Sequence, residues 1–457
     1  MSRTHDTNHL NLTGLQRLRA IAGVCSGALV EWFDFFIYAY TSIYFASLFF
    51  PAGDQVTQLL ATAAVFAVGF FMRPLGGWIF GRIADKKGRK LSMMLSVLLM
   101  CGGSLLIAVL PTYQTIGVAA PVLLVVARLM QGLAVGAEYG TGATYLSEVS
   151  TKGRRALYGS CQYMTIMGGQ LLALLTVSIL QHVLPQDMLK AWGWRIPFFI
   201  GAFAAVVVLF LRRSIVETAT EENMNHKEAG SIVALAKHKR AVVLTFTVTI
   251  GCSLYYYTFT AYMQKLLVVS AGLSAATVTT IMIFALIVFM AMQPFFGMLA
   301  DRIGTKKNMM IFGTLGVLTV GPILNALSHA QSATEAFLLV VLGLVIGSFF
   351  SPVVGVVKTD FFPASVRALG VGLPYAIGAA LFGGSSEYVA LTFRVAGVEH
   401  YFFYYVTAVV GVTTIASYLM PDLRKYGYLD GNGQVEQQAG FKSLRRGAKG
   451  MAAPAAS

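Results

Sequence analysis

The chain has 457 residues, of which 56% are hydrophobic and 12% charged, a balance that excludes an ordinary water-soluble globule. Its net charge of +14 would suit a nucleic-acid partner, but Lys and Arg concentrate in connections between apolar runs, so the excess reports membrane topology. Cys25, Cys101, Cys161 and Cys252 lie singly inside such runs, which argues against a disulfide framework or a zinc site.

Apolar runs recur at 20–50, 57–83, 90–110, 118–149, 155–184, 193–212, 239–268, 274–300, 308–328, 332–362, 366–393 and 398–420. Each can cross a hydrocarbon core roughly 30 Å thick as a helix. An all-α membrane protein with twelve transmembrane helices is expected. The first 19 residues are polar and the first run continues well past signal length, so no cleavable leader is expected. Alternate connections carry Arg82, Lys86, Lys87, Arg89 and Lys90; then Lys152, Arg154 and Arg155; then a group from Arg212 to Arg240; then Arg302, Lys306 and Lys307. The opposite connections 51–56, 111–117 and 329–331 carry no Lys or Arg, which predicts cytoplasmic termini. Lys190 and Arg195 depart from the pattern.

Ionisable residues within the runs are costly in a bilayer and mark ion or substrate paths. The first run holds Glu31 and Asp34, three residues apart on nearly one helix face. In the second, Arg73 precedes Pro74; a guanidinium there suits a carboxylate ligand, or else pairs with Glu31 or Glu138. The fourth run places Arg128, Gln131 and Glu138 on one face, beside glycines 132, 136 and 140 that admit a close neighbouring helix. Asp34 and Arg128 fall at similar depth, so they are expected to pair. Glu31 and Glu138 are both candidates for a second proton site. Gln162, Tyr163 and Gln170 in the fifth run offer neutral hydrogen-bonding groups for a ketone or carboxylate. Trp192-Gly-Trp194-Arg195 opens the sixth run as an interfacial anchor. In the seventh, Tyr262, Gln264 and Lys265 are candidate ligands, although Lys265 can also snorkel. Lys358 lies near the end of the tenth run and is expected to snorkel. Glu387 in the eleventh is either a further acid of the site or a structural one.

The polar stretch 213–238 divides the runs six and six, and the halves repeat. Gly81-x-x-x-Asp85-x-x-Gly88-Arg89-Lys90 recurs as Gly297-x-x-x-Asp301-x-x-Gly304-Thr305-Lys306. Glu148 followed by Arg155 recurs as Asp360 followed by Arg367, and Gly168-Gly169-Gln170 as Gly383-Gly384-Ser385. The expected organisation is an N-terminal segment 1–19, a bundle 20–212, a central loop 213–238, a second bundle 239–420 and a disordered tail 421–457. Such repeats place a substrate site near the midplane between bundles. The tail holds Lys442, Arg445, Arg446 and Lys449, which could touch anionic lipid.

The repeated loop at 81–90 and 297–306 resembles the hallmark of the major facilitator superfamily. That resemblance implies two six-helix bundles and a charge latch, built from Asp85, Arg89, Asp301, Glu148, Arg155, Asp360 and Arg367, that holds one access state. Thr305 replaces a basic residue usual in the second copy, so that latch is expected to be weaker. Gly27-Ala-Leu-Val-Glu-Trp-Phe-Asp-Phe, Arg-Pro-Leu-Gly-Gly and Gly-Ala-Glu-Tyr-Gly look like the metabolite–proton symporter branch. Thr260-Ala-Tyr-Met-Gln-Lys265 and Phe382-Gly-Gly-Ser-Ser-Glu-Tyr-Val-Ala-Leu391 are similar to its alpha-ketoglutarate carriers. The resemblance implies proton coupling through Asp34 and Arg128, and import of 2-oxoglutarate across a bacterial inner membrane by a monomer without a cofactor. Citrate, another dicarboxylate or shikimate remain alternative cargoes, and a non-transporting receptor an alternative role. No nucleotide-binding loop is present, and His5, His9, His182, His226, His238, His329 and His400 form no catalytic motif, so no enzyme is expected.

Overall fold

The computed structural model describes residues 13–51, 55–213 and 215–429, together with 431, 433 and 435. The first bundle comprises α1 (Gly14–Phe49), α2 (Gln55–Lys87), α3 (Arg89–Val109), α4 (Ala119–Val149), α5 (Arg155–Val183) and α6 (Ile196–Arg213). The second comprises α7 (Lys239–Ser270), α8 (Ala275–Ile303), α9 (Thr305–Ser328), α10 (Ala333–Gly347), α11 (Val354–Asp360), α12 (Ala364–Arg394) and α13 (His400–Leu419). Among the described residues, eleven helices are long and apolar enough to cross a membrane. Side-chain caps set several starts: Thr13 and Gln16 form a reciprocal box on α1, and Ser274 and Ser332 cap α8 and α10.

The tenth apolar run is not one helix. It breaks between Gly347 and Val354, a stretch that contains Pro352. Gln293 of α8 serves the break, taking a hydrogen bond from Ser351 Oγ at 2.6 Å and reaching Ser348 Oγ at 3.5 Å. Asn308 of α9 donates to the Phe349 carbonyl within the break, and non-helical backbone survives at membrane depth only when buried protein groups satisfy it in this way. Two other helices of the second bundle are irregular. The helix α7 widens into π-helical turns at Thr258–Tyr262 and Leu266–Ser270, and α12 does so at Ala379–Gly383.

Cross-bundle packing follows the internal repeat. The helix α2 packs on α12, and its counterpart α8 packs on α5. The glycines of α4 work as expected. A Cβ at Gly132 would overlap the Gly69 backbone, one at Gly136 the Arg73 backbone, and one at Gly140 the Gly372 backbone. So α4 presses directly on α2 and, lower down, on α12.

Both segments that come after a bundle are structured. After α6, Glu217 accepts from the Arg89 and Lys90 amides at 2.8 and 3.0 Å, which caps α3. After α13, the first nine residues of the tail expected to be disordered over 421–457 are ordered: a short helix at Leu423–Tyr426, then Leu429, whose amide donates to Asp360 Oδ1 at 2.6 Å. Burial of Leu423 and Leu429 against the second bundle accounts for the correction. The basic residues Lys442, Arg445, Arg446 and Lys449 lie outside the described residues.

Candidate functional site

Arg73 reaches the centre from α2, fixed by the Gly136 contact with its backbone. Its guanidinium lies 3.9 Å from the Phe70 ring centroid, 4.7 Å from Phe35 and 5.7 Å from Trp32. Nη1 donates to the Tyr257 hydroxyl of the second bundle at 3.4 Å. Nε and Nη2 are buried without a hydrogen-bond partner among the described residues. Among the described residues neither Glu31 nor Glu138 forms an ion pair with it, and Glu138 pairs with Arg212 instead. A buried guanidinium with spare donors and an aromatic collar is equipped to take a carboxylate.

Glu31 is buried one helical turn before Asp34 and lines a narrow pocket with Trp32, Glu138, Tyr139, Gln162 and Tyr375. Tyr139 of α4 and Tyr375 of α12 stack across the bundles with ring centroids 3.4 Å apart and planes inclined by 11°. Gln162 donates to the Tyr139 carbonyl at 3.4 Å. Sequence reasoning missed both tyrosines, because no local pattern marks a contact between such distant segments.

Asp34 and Arg128 are both buried, but they do not touch. Arg128 Nη1 donates to Gln131 Oε1 at 2.7 Å, Gln131 Nε2 donates to Ser104 Oγ at 2.9 Å, and Ser104 Oγ donates to Asp34 Oδ2. A polar relay thus replaces the expected direct pair. Arg128 instead rests on the rings of Tyr38 and Phe66, at 4.4 and 5.0 Å. Packing holds the acid close: a Cβ at Gly201 of α6 would overlap Asp34 Oδ1.

Glu138 has its own cation. Arg212, read from sequence as a loop charge, is buried in the first bundle and pairs with Glu138. It also donates to the carbonyls of Met93 at 2.6 Å and Gly23 at 3.2 Å. Ser96 donates to Glu138 Oε2 at 3.2 Å. Removing either partner of such a buried pair would leave the other charge uncompensated.

The latch residues converge at the basic end of the bundles. Asp85 accepts from Arg89 Nη1 at 2.9 Å and, across the bundle boundary, from the Ala368 and Leu369 amides at 3.1 and 3.0 Å. Asp301 repeats this on the opposite boundary, accepting from the Ala156 and Leu157 amides at 2.8 and 3.0 Å. Gly88 and Gly304 adopt φ of 100° and 99°, a left-handed turn that lets each loop double back tightly. Glu148 pairs with Arg367 at 2.9 Å and with Arg89 at 3.4 Å. Arg155 donates to the carbonyls of Ser147 and Leu429, and Asp360 takes the Leu429 amide. In this structure the basic end is closed.

Of the other sequence candidates, Tyr262, Gln264, Lys265 and Gln170 do not line the pocket, whereas Tyr163 interacts directly with its Tyr139. Tyr262 donates to Glu399 at 2.9 Å, and Lys265 pairs with the half-exposed Glu387, both within the second bundle. Gln264 lies between them on the same α7 segment. Gln170 donates to Tyr40 at 3.2 Å, and Tyr163 packs edge-on against Tyr256 and Phe350. Arg195 donates to the Leu110 carbonyl at the end of α3 at 2.7 Å, a contact distant in sequence.

Residues 20–219 match the family model described as sugar (and other) transporter. The chain is 54% identical over 405 residues to the Alpha-ketoglutarate permease of Escherichia coli (strain K12), covering 89% of this chain and 94% of that one. It is 33% identical over 367 residues to the Citrate-proton symporter of Salmonella typhi, covering 80% and 85% respectively. The solved structure of the proton:xylose symporter XylE bound to 6-bromo-6-deoxy-D-glucose superposes with a TM-score of 0.76, over 92% of this chain and 99% of that one. At 15% identity that likeness shows the fold alone. The chain belongs to the major facilitator superfamily of membrane transporters.

Proposed function

We propose that this protein imports 2-oxoglutarate with protons, by alternating access, across a bacterial inner membrane. The observation that carries the reading is Arg73: a guanidinium buried between the bundles, with two nitrogens unpartnered and no ion pair among the described residues. A dicarboxylate supplies what it lacks. The name of the 54% identical relative points to the same cargo.

On this reading the basic end faces the cytoplasm, and substrate enters from the far side while the latch is shut. Arg73 grips one carboxylate, and Gln162 lies in the adjoining pocket. Release requires Asp85 and Asp301 to surrender the helix-start amides across the boundary, and Tyr139 and Tyr375 to unstack. The coupling acid is Asp34, with Glu31 the second carrier; Glu138 is occupied by Arg212. Moving α3 against α4 would break the Ser104–Gln131 link and isolate Asp34 from Arg128. Charge moved in this way can be tied to conformation without any cofactor.

The test is uptake of labelled 2-oxoglutarate by the purified protein in liposomes under an inward proton gradient, with unlabelled citrate, shikimate and other dicarboxylates as competitors. Accumulation that collapses with the gradient and yields to unlabelled 2-oxoglutarate before the others is expected. Preferential block by citrate would reassign the cargo, and binding without uptake would make the protein a receptor.

A further inference from the structure

Lys358 takes part in neither the latch nor the Arg73 contacts. It lies after the break in the tenth run, on α11, and is 1% exposed. Its position near a helix end predicts snorkelling toward the basic face. Instead the side chain turns inward across the bundle boundary. Nζ donates to the Tyr139 hydroxyl at 3.2 Å and lies 4.5 Å from the Tyr375 ring centroid. Among the described residues no carboxylate pairs with it. An ammonium has three donors and Tyr139 takes one. A buried cation in this state is costly unless an anion can reach it.

An anion has a route. Tyr139 and Tyr375, the two rings beside Lys358, also wall the pocket that holds Glu31 and Gln162. Lys358 is therefore one tyrosine layer from that pocket. Arg73 reaches the same region from the first bundle, through Tyr257 of the second. Two unpaired cations, one from each bundle, suit a ligand with two carboxylates. Discontinuous helices of this kind commonly form transporter sites.

We infer that Lys358 is the second carboxylate-binding residue, taking one end of a dicarboxylate whose other end Arg73 holds, with the carboxylate replacing the Tyr139 hydroxyl. This rests on the functional reading above. It has two consequences. A monocarboxylate can satisfy Arg73 but leaves Lys358 unpaired, so the site prefers dicarboxylates. Capture of Lys358 by the ligand also withdraws it from Tyr139, loosening a contact that spans the bundles.

The test compares 2-oxoglutarate with 2-oxopentanoate, the same carbon chain with a methyl in place of the distal carboxyl group. Both are measured as competitors of labelled 2-oxoglutarate and as stabilisers of the purified full-length protein in a thermal-shift titration. Lys358→Gln should weaken 2-oxoglutarate on the order of tenfold or more, since a charge-assisted hydrogen bond is lost, and leave 2-oxopentanoate unchanged. Lys358→Met, neutral and apolar, should reproduce that split. Wild-type discrimination in either folded variant, or equal weakening of both ligands, overturns the inference. Failure of both variants to fold assigns Lys358 to structure and overturns it as well. A wild-type protein that does not handle 2-oxoglutarate would sink the functional reading itself, an outcome separate from a working wild type matched by Lys358→Gln.

Discussion

Asp85→Asn should open the basic end. The carboxylate holds the Ala368 and Leu369 amides at 3.1 and 3.0 Å as well as Arg89 at 2.9 Å, all buried. Asparagine has one acceptor oxygen, so it can keep one amide while its NH2 group must face the other N–H. A cross-bundle bond is lost and a buried donor is left unsatisfied, together about 3 kcal/mol against the closed state. That shifts the closed-to-open ratio roughly 150-fold. Asp301→Asn removes the same two-amide grip on the opposite boundary and should act in the same direction. Spin labels on cysteines placed at the exposed Lys87 and Lys307, in a background free of native cysteines, report the separation of the bundles at this end. The unsubstituted carboxylates should give a short distance, and either Asn variant a new longer population. An unchanged distribution in folded Asp85→Asn would refute the latch and leave the loop a topological signal.

Arg73→Lys keeps the charge but loses the planar fork, so 2-oxoglutarate binding should weaken about tenfold in a competition assay; wild-type affinity in folded protein would remove Arg73 from the site. Asp34→Asn should retain exchange of internal for external substrate and lose proton-driven accumulation, and Ser104→Ala, which cuts the relay, should impair accumulation in the same assay. Glu138→Gln strands the buried Arg212 and should cost about 3–5 kcal/mol of stability, read as a lower melting temperature. A stable Glu138→Gln protein that has lost only proton coupling would instead make Glu138 a carrier.

The latch is legible in the sequence because its parts are close together and occur twice, and because an acid between two glycines at a helix turn has few uses. Asp34 and Arg128 are legible as buried charges, but the Ser104–Gln131 relay between them is not; a serine in an apolar run carries no sign of what it bridges. Arg212 and Lys358 mislead for one shared reason. Each lies at the end of an apolar run, where a basic residue ordinarily faces water, and only packing decides that it turns inward. The facing of Gln264 and Lys265 on α7 is not legible from regular helical spacing. The π-helical turn at Thr258–Tyr262 adds a residue, which rotates the rest of α7 by about 100° relative to a regular helix.

The disposition of charge around the pocket bears on proton number. Glu138 and Arg212 cancel as a pair, and Asp34 and Arg128 balance through the relay. Counted at formal charge, Arg73 and Lys358 then stand against Glu31 alone, two cations to one carboxylate. A 2-oxoglutarate dianion would turn that surplus of one positive charge into a deficit of one, and a proton on Glu31 restores balance. Asp34 supplies the second proton site. The membrane potential gives an independent argument. An inside-negative voltage opposes an entering dianion by about 2.3 kcal/mol per charge per 100 mV, roughly 4.6 for two charges. One proton leaves a net negative charge still resisted; two make transport electroneutral and driven by the pH gradient. At least two protons per substrate are therefore expected, carried by Asp34 and Glu31. Liposomes clamped at set potentials provide the measurement: the substrate gradient that stops net flux should track at least twice the pH gradient and show no inward negative charge. A reversal point that requires one net negative charge to enter with each substrate would refute the two-proton count.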